Sequence, residues 1–276
     1  MISVVMPTWN GARFMDTAIA SVAAQTSPAW ELLIVDDGST DDSFARAERW
    51  RDLVNRHHAA EKIRVFTSGG SNSGMAVGCN LAIREARYDI IAHLHQDDLF
   101  SPTRIESLLP FIDRYDMVFS PYEIMQHNGR VTLWNNSPRR QRSSLLSGIK
   151  DGRDLSFEAW AGRTLQRQFL SVPLGVAHRR TLFDEVGGFQ PGIIAATEGL
   201  TWRRMAERGA RIGFCPTVAG RYNVRSDSQA RTQKPFSIPS AAIRERDPLG
   251  QNGQYLDAAW FAALARSKAD KPTTGH

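Results

Sequence analysis

Cysteine is almost missing from this chain. There are two, Cys79 and Cys215, in 276 residues, far apart and without metal-ligand spacing. That excludes a disulfide-stapled secreted scaffold and a cysteine-built zinc module, and it predicts two reduced, mostly buried thiols in a cytoplasmic protein. Long hydrophobic runs are missing too. No segment approaches the roughly 20 apolar residues of a bilayer-spanning helix, and the opening MISVVMPTWNG lacks the length and basic flank of a signal peptide. The reading is a soluble protein, at most peripheral at the inner membrane face. Basic residues do not gather into an aromatic-interleaved stripe, although the net charge is +5. The excess therefore argues for anionic small molecules or a phospholipid surface, and against nucleic acid as a partner. Repeats are absent as well.

An apolar share of 42% and a charged share of 23% suffice for a self-sustaining core, in one large domain or two modest ones. Strand and helix signals alternate through the first third. Ile2 to Met6, Glu31 to Val35, Ile63 to Thr67 and Ile90 to His95 read as buried strands. Ala12 to Gln25, Ser43 to Val54 and Met75 to Ala86 read as the helices between them. Such alternation predicts a parallel α/β sheet whose ligands sit beyond the carboxyl ends of its strands. Further along, Pro102 to Tyr115, Asp154 to Leu165, Arg180 to Val186, Thr197 to Arg208 and Tyr255 to Ala265 have helical character. Met117 to Tyr122, Val172 to His178 and Arg211 to Cys215 read as strands, residues 126–153 as polar and irregular, and Lys268 to His276 as a disordered tail.

Each polar cluster of the first third falls at a strand's carboxyl end. In Asp36-Asp37-Gly38-Ser39 a carboxylate could accept from a base N–H or a ribose hydroxyl, while a helix cap and turn explain Ser39 and Asp41 equally well. Gly69-Gly70-Ser71-Asn72-Ser73-Gly74 precedes a helix and suits an anionic group, although it is neither the dinucleotide fingerprint nor a P-loop. If residues 91–97 are extended, His93, His95 and Asp97 share a face, the arrangement a zinc site would need. A covered central strand more often uses its histidines for core hydrogen bonds. Asp97 and Asp98, past the strand, suit a hard divalent ion bound to substrate phosphates, or else a helix cap before Ser101-Pro102.

Taken in order, Pro7-Thr8-Trp9-Asn10, Val35-Asp36-Asp37-Gly38-Ser39, Asn72-Ser73-Gly74 with Asn80, and Gln96-Asp97-Asp98 resemble a family 2 glycosyltransferase. Val186-Gly187-Gly188-Phe189, Thr197-Glu198 and Leu200-Thr201-Trp202-Arg203-Arg204 extend the resemblance, which spans about residues 1–230. It implies a GT-A fold, a Rossmann-like and mostly parallel sheet flanked by helices with a mixed acceptor-side half. It also implies inverting transfer of a sugar from a nucleotide diphosphate sugar to a glycan, lipid-linked or other hydroxyl acceptor, in glycan or polysaccharide biosynthesis. Residues 1–115 would form the nucleotide-sugar half, 116–235 the acceptor-binding and catalytic half, and 236–276 a C-terminal extension. Donor contacts would come from Pro7, Thr8, Asn10, Asp36, Asp37, Asn72, Gly74, Asn80, Asp97 and Arg225. Asp97 and Asp98 match the DXD-type carboxylates that hold Mg²⁺ or Mn²⁺, and Glu198 matches the base that deprotonates the acceptor. Trp202, one turn beyond Glu198, is the tryptophan placed nearest the acceptor or sugar; Trp9, Trp30 and Trp50 read as packing.

Three positions depart from the family pattern. Thr197 stands where the family carries the first acid of a pair, His95 where many members have a further Asp, and Arg225 where the late YRxH segment ends in His. Arg225 could hold the diphosphate as a fixed cation, or be a surface ion pair. The basic run Arg139 to Arg142 reads as a solvated loop, or else as a lid over the donor or a contact for anionic acceptor or lipid, and the Tyr255 to Ala265 helix is expected to pack on the domain. Two rival readings stay open: a non-catalytic sugar-nucleotide or glycan-binding relative, and a nucleotidyltransferase.

Overall fold

Buried strands register first. In the computed structural model, which describes residues 1–70, 72–134, 172–191 and 197–225, strand β1 (Ile2–Thr8) and strand β2 (Trp30–Asp36) run parallel, paired from Ile2↔Trp30 to Thr8↔Asp36. β2 is buried along its whole length, as a parallel strand covered on both faces must be. β3 (Ile63–Thr67) continues the sheet on one side and β4 (Ile90–His93) on the other, both parallel. The helices between them cover the two faces. In α1 (Met15–Ala23) the buried residues Met15, Ala18, Ile19 and Val22 make one stripe at helical spacing. α2 (Ser43–Asn55) and α3 (Met75–Glu85) complete the βαβ units. Cys79 and Cys215 are buried thiols, as expected.

The second half threads into the same sheet. After the short β5 (Leu99–Phe100) and α4 (Arg104–Ile112) come β6 (Met117–Phe119), β7 (Tyr122–Met125) and β8 (Val131–Trp134). β9 (Val176–Arg179) lies antiparallel between β4 and β6, and α5 (Arg180–Glu185), α6 (Thr197–Glu207), β10 (Ile212–Phe214) and β11 (Gly220–Asn223) follow. The main sheet has the order β10-β6-β9-β4-β1-β2-β3, and a second, four-stranded sheet has the order β5-β11-β7-β8. The chain steps outward from β1 to β2 and β3, then returns to β1's other side as β4. The crevice between the carboxyl ends of β1 and β4 is thus the switch point where α/β sheets bind ligands.

Several sequence expectations need correction. The fourth strand stops at His93, not His95, because Leu94 still donates to Val5 O at 3.0 Å but Asp98 N–H already turns back to His95 O at 3.1 Å. Met117 to Tyr122 divides into β6 and β7 around Ser120-Pro121, and Val172 to His178 opens with a 3₁₀ turn, Pro173–Gly175. Within the stretch read as irregular, Val131–Trp134 is a strand paired antiparallel with β7. The Asp154 to Leu165 and Tyr255 to Ala265 helices, the Arg139 to Arg142 run and the 268–276 tail lie outside the described residues.

Candidate active site

Gln96 closes the switch point. Its Oε1 accepts from Thr8 Oγ1 at 2.6 Å and from the Trp9 N–H at 2.9 Å, and its Nε2 donates to Trp9 O at 3.1 Å. The carboxamide thereby fixes the loop after β4 against the end of β1. Gly11 makes room for it: a Cβ at that position would lie 2.3 Å from Gln96 Oε1. Pro7 packs under the same corner against Gly78 of α3, where an added Cβ would come within 2.9 Å of Pro7 Cβ.

The β2 end supplies two aspartates with different duties. Asp37 is a tie. Its Oδ1 accepts from Ser68 Oγ at 2.5 Å, its Oδ2 from the Gly74 N–H at 2.9 Å, and its carbonyl from the Asn72 N–H at 2.8 Å. Asp37 therefore draws Asn72 and Gly74 to the sheet edge, with Gly74 at φ 97° and Asn72 at φ 52° shaping the loop. Asn10 is a second tie: its N–H donates to Ser39 Oγ at 2.9 Å and its Oδ1 accepts the Thr40 N–H at 2.8 Å. Asp36 is different. Oδ2 accepts from the Ser39 N–H at 3.0 Å, but Oδ1 is buried with no hydrogen-bond partner. A buried acceptor left unmade is costly, and it marks this oxygen as one that needs a donor from a ligand or solvent.

Asp97 and Asp98 sit in the turn after β4. Asp98 is 1% exposed and its Oδ1 accepts the Asn223 N–H at 3.0 Å. Burial, and secondly the charge of Asp97, push its pKa well above the usual carboxylate range. Asn223 also donates from its side chain to Asp97 O, so the last residue of β11 holds both members of the pair. Arg225 Nη1 stands 3.5 Å from Asp97 Oδ2. Glu198 lies in the first turn of α6, partly buried. Burial raises its pKa, while its own main-chain N–H and His95 pull it down; its charge in turn adds to the burial that raises Cys79 of α3. Glu198, His95 and Cys79 therefore share one electrostatic neighbourhood.

Two sequence-assigned donor or sugar residues are spent elsewhere. Asn80 donates to Phe189 O at 2.8 Å and accepts the Phe189 N–H at 3.0 Å, latching α3 to the Gly-Gly-Phe turn. Trp202 is 0% exposed and packs on His93, His178 and Phe189, so the expectation that it meets the sugar or acceptor is corrected: its ring is core. Thr197, at the departing position, accepts the Gln190 N–H at 3.0 Å and pins the start of α6 to that same turn. The Asn80 latch makes a prediction. Asn80→Ala strands both main-chain groups of the buried Phe189, costs about 1–3 kcal/mol, and lowers Tm by roughly 2–4 °C per kcal/mol. Nucleotide-sugar affinity should stay within about twofold by calorimetry on folded protein.

The zinc arrangement does not form. His93 points into the core, its Nε2 2.9 Å from His178 Nε2. His178 Nδ1 faces the Arg179 carbonyl at 3.0 Å, which can only accept. His178 Nδ1 thus carries the proton, and His93 Nε2–H donates to His178 Nε2. Both rings are held neutral, His93 well below its ordinary pKa and His178 at about 4, chiefly by burial. Among the described residues no three His, Cys, Asp or Glu side chains gather where they could hold a metal ion. A two-carboxylate site that shares a hard divalent ion with substrate phosphates fits the residues better: Asp98 is buried, next to a second carboxylate, and holds its proton unusually tightly.

Comparison with known proteins agrees with this geometry. The family described as Glycosyl transferase family 2 matches residues 3–172. An uncharacterised glycosyltransferase of Nostoc sp. is 33% identical over 237 residues, which cover 83% of this chain and 63% of that protein. The putative teichuronic acid biosynthesis glycosyltransferase TuaG of Bacillus subtilis is 30% identical over 131 residues, 47% of this chain and 49% of TuaG. The chain thus spans less than two thirds of the length of these curated relatives. Among solved structures, S. aureus TarS 1–349 in complex with UDP-GlcNAc superposes with a TM-score of 0.69 at 18% identity, covering 98% of this chain and 74% of that chain. No helix among the described residues is long and apolar enough to cross a membrane. The fold is GT-A, and the chain belongs to glycosyl transferase family 2.

Proposed function

We propose that this chain is a metal-dependent, inverting glycosyltransferase that moves a sugar from a nucleotide diphosphate sugar to an acceptor hydroxyl in cell-surface polysaccharide biosynthesis. The observation that carries the reading is the acidic pair at the switch point: Asp98 is buried beside Asp97 and holds its proton well above the ordinary range. Such a pair costs folding energy, and a divalent cation bridging it to a diphosphate relieves that cost. Asp36 Oδ1, the buried acceptor without a partner, would take a hydrogen bond from the nucleoside. Asp37, Asn10, Asn72 and Gly74 would shape the wall around it, with Pro7 and Thr8 beneath. Asp97 and Asp98 would hold Mg²⁺ or Mn²⁺, which when bound supplies charge neutralisation on the departing nucleoside diphosphate. Arg225 would hold a diphosphate oxygen.

Glu198 would take the proton from the acceptor hydroxyl as that oxygen attacks the anomeric carbon from the side opposite the nucleotide, which gives inversion. A carboxylate whose burial raises its pKa toward the working pH is better matched to that task than an exposed one. Residues 1–115 would serve the donor and 116–235 mainly the acceptor, with Arg225 reaching back to the diphosphate and 236–276 an extension. The acceptor would be a glycan, lipid-linked or not, met in the cytoplasm or at the inner membrane face; the relative WfgD of Escherichia coli, 27% identical over 133 residues, is described as acting on a diphosphoundecaprenol-linked sugar.

A thermal-shift panel of UDP-, GDP- and dTDP-sugars with Mn²⁺, Mg²⁺ or EDTA tests the reading. Ligand at 100 times its Kd adds about 2.7 kcal/mol of stability. One nucleotide should give a shift that vanishes in EDTA. A flat panel on folded protein, with no sugar transfer or hydrolysis, would sink the enzyme reading in favour of a binding relative.

A further inference from the structure

Arg225 does not extend into solvent from the end of β11. Its guanidinium carbon lies 3.9 Å from the centroid of the Phe14 ring, the distance of a flat stack, while Nη1 stands 3.5 Å from Asp97 Oδ2. Both members of that ion pair are 21% exposed, so the pair sits in the wall of the site and is not a solvated surface contact. The two stacking partners come from different parts of the fold. Phe14 stands at the N-terminus of α1, with its N–H on Gly11 O at 2.9 Å. Arg225 follows β11, where the Val224 N–H still bonds Met125 O at 2.8 Å and fixes the main chain one residue away. The stack thus joins the segment that follows Trp9, Asn10 and Gly11 to the one that follows Asn223.

We infer that Phe14 is the positioning residue for Arg225: its ring fixes the plane of the guanidinium at the diphosphate subsite. The inference rests on the donor role proposed for Arg225 and goes beyond it by assigning a function to a residue with no polar atom in its side chain. A guanidinium on an aromatic face has one surface occupied, so its N–H groups point outward in a single plane. That is the geometry a phosphate accepts in bidentate fashion. An unstacked arginine would have to freeze four torsions on binding, and the stack removes most of that ordering cost beforehand. The 3.5 Å contact to Asp97 is long for a charge-assisted bond, so it keeps the cation beside the acidic pair only loosely. Arg13 approaches the same ring at 5.2 Å and is exposed, so the ring face is a seat already suited to cations.

The test is a double-mutant cycle on the full chain, with Phe14→Leu, Phe14→Tyr, Arg225→Ala and the Phe14→Leu/Arg225→Ala pair. Calorimetry with the nucleotide sugar and metal selected by the thermal-shift panel gives Kd, and initial rates give KM and kcat. Phe14→Leu should weaken Kd and KM about three- to tenfold, with kcat within about twofold. Phe14→Tyr, which keeps the ring, should restore wild-type affinity. In the Arg225→Ala background the leucine substitution should cost nothing further, because the cation it positions is gone. A purely packing role for Phe14 predicts the opposite: an equal loss with and without Arg225, accompanied by a lower Tm, and that result overturns the inference alone. If Arg225→Ala binds the donor as tightly as wild type, the donor role of Arg225 and the inference fall together. If wild type binds no nucleotide sugar, the proposed function itself falls, and this inference with it.

Discussion

Glu198→Gln is expected to lower the rate of sugar transfer by about 10²–10⁴-fold, the range a positioned general base contributes, while the Kd for donor stays within about twofold. Glutamine keeps the length and hydrogen-bonding capacity of the side chain but cannot accept a proton at working pH. The substitution therefore removes one function and leaves the volume filled. Because burial is the main influence and raises the pKa of Glu198, the group protonates at a higher pH than an exposed glutamate would. As pH falls, the active carboxylate form is lost early, so the acid limb of kcat, read at saturating donor and metal so that Asp98 stays ionised, should lie above the ordinary glutamate value, and Glu198→Gln should erase that limb. Initial rates across pH on wild type and variant measure both. A variant that retains transfer, or a limb that persists without Glu198, would move the base elsewhere and sink the assignment.

The parallel core was legible because its signals are local and redundant. Trp30–Asp36 is an unbroken buried strand, and the stripe Met15, Ala18, Ile19 and Val22 is visible as spacing alone. Strands that depend on partners far along the chain were not legible. Leu99–Phe100 is two residues long and exists by pairing with Gly220 and Arg221. The β7–β8 hairpin does carry a local signal: Asn128-Gly129, with Gly129 at φ 79°, is a hairpin dipeptide between two short strands.

Within the site, the order of motifs gathers residues at one edge of the sheet but does not say which atoms are already spent. The Asn80 carboxamide is consumed by the Phe189 main chain and the Asp37 carboxylate by Ser68 Oγ and the Gly74 N–H, while Asp36 Oδ1 is left over. Hydrogen-bond accounting of that kind needs three-dimensional neighbours. So does Trp202, which helical spacing puts one turn from Glu198 but tertiary packing turns into the His93–His178 layer. In the sequence Gln96 is only a member of its motif, and Asn223 only a neighbour of Arg225. Their roles, one clamping β1 and the other holding the acidic pair, follow from contacts spanning 87 and 125 residues of sequence.

Asp98→Asn should act in opposite directions on stability and on binding. In the unfolded chain Asp98 releases its proton near the ordinary carboxylate value; in the folded protein burial, then Asp97, hold that proton to a much higher pH. Between the two values the folded state binds more protons than the unfolded one, so the stability of the metal-free protein falls as pH rises through that window, and the penalty is complete above it. Asparagine cannot ionise, and its Oδ1 can still accept the Asn223 N–H that Asp98 accepts at 3.0 Å. The variant without ligand should therefore unfold about 2 °C or more above wild type at neutral pH and show a flatter dependence of Tm on pH. Its metal-dependent affinity for nucleotide sugar should fall by at least about 100-fold, or about 2.7 kcal/mol. Differential scanning calorimetry without ligand, beside titrations in Mn²⁺ and in EDTA, separates the two effects. A variant that loses stability at neutral pH would mean that the carboxylate earns its place through the Asn223 bond, and a variant that keeps its metal-dependent affinity would remove Asp98 from the site. The expected pairing, stabler and unable to bind, is what a buried charge retained for a ligand predicts.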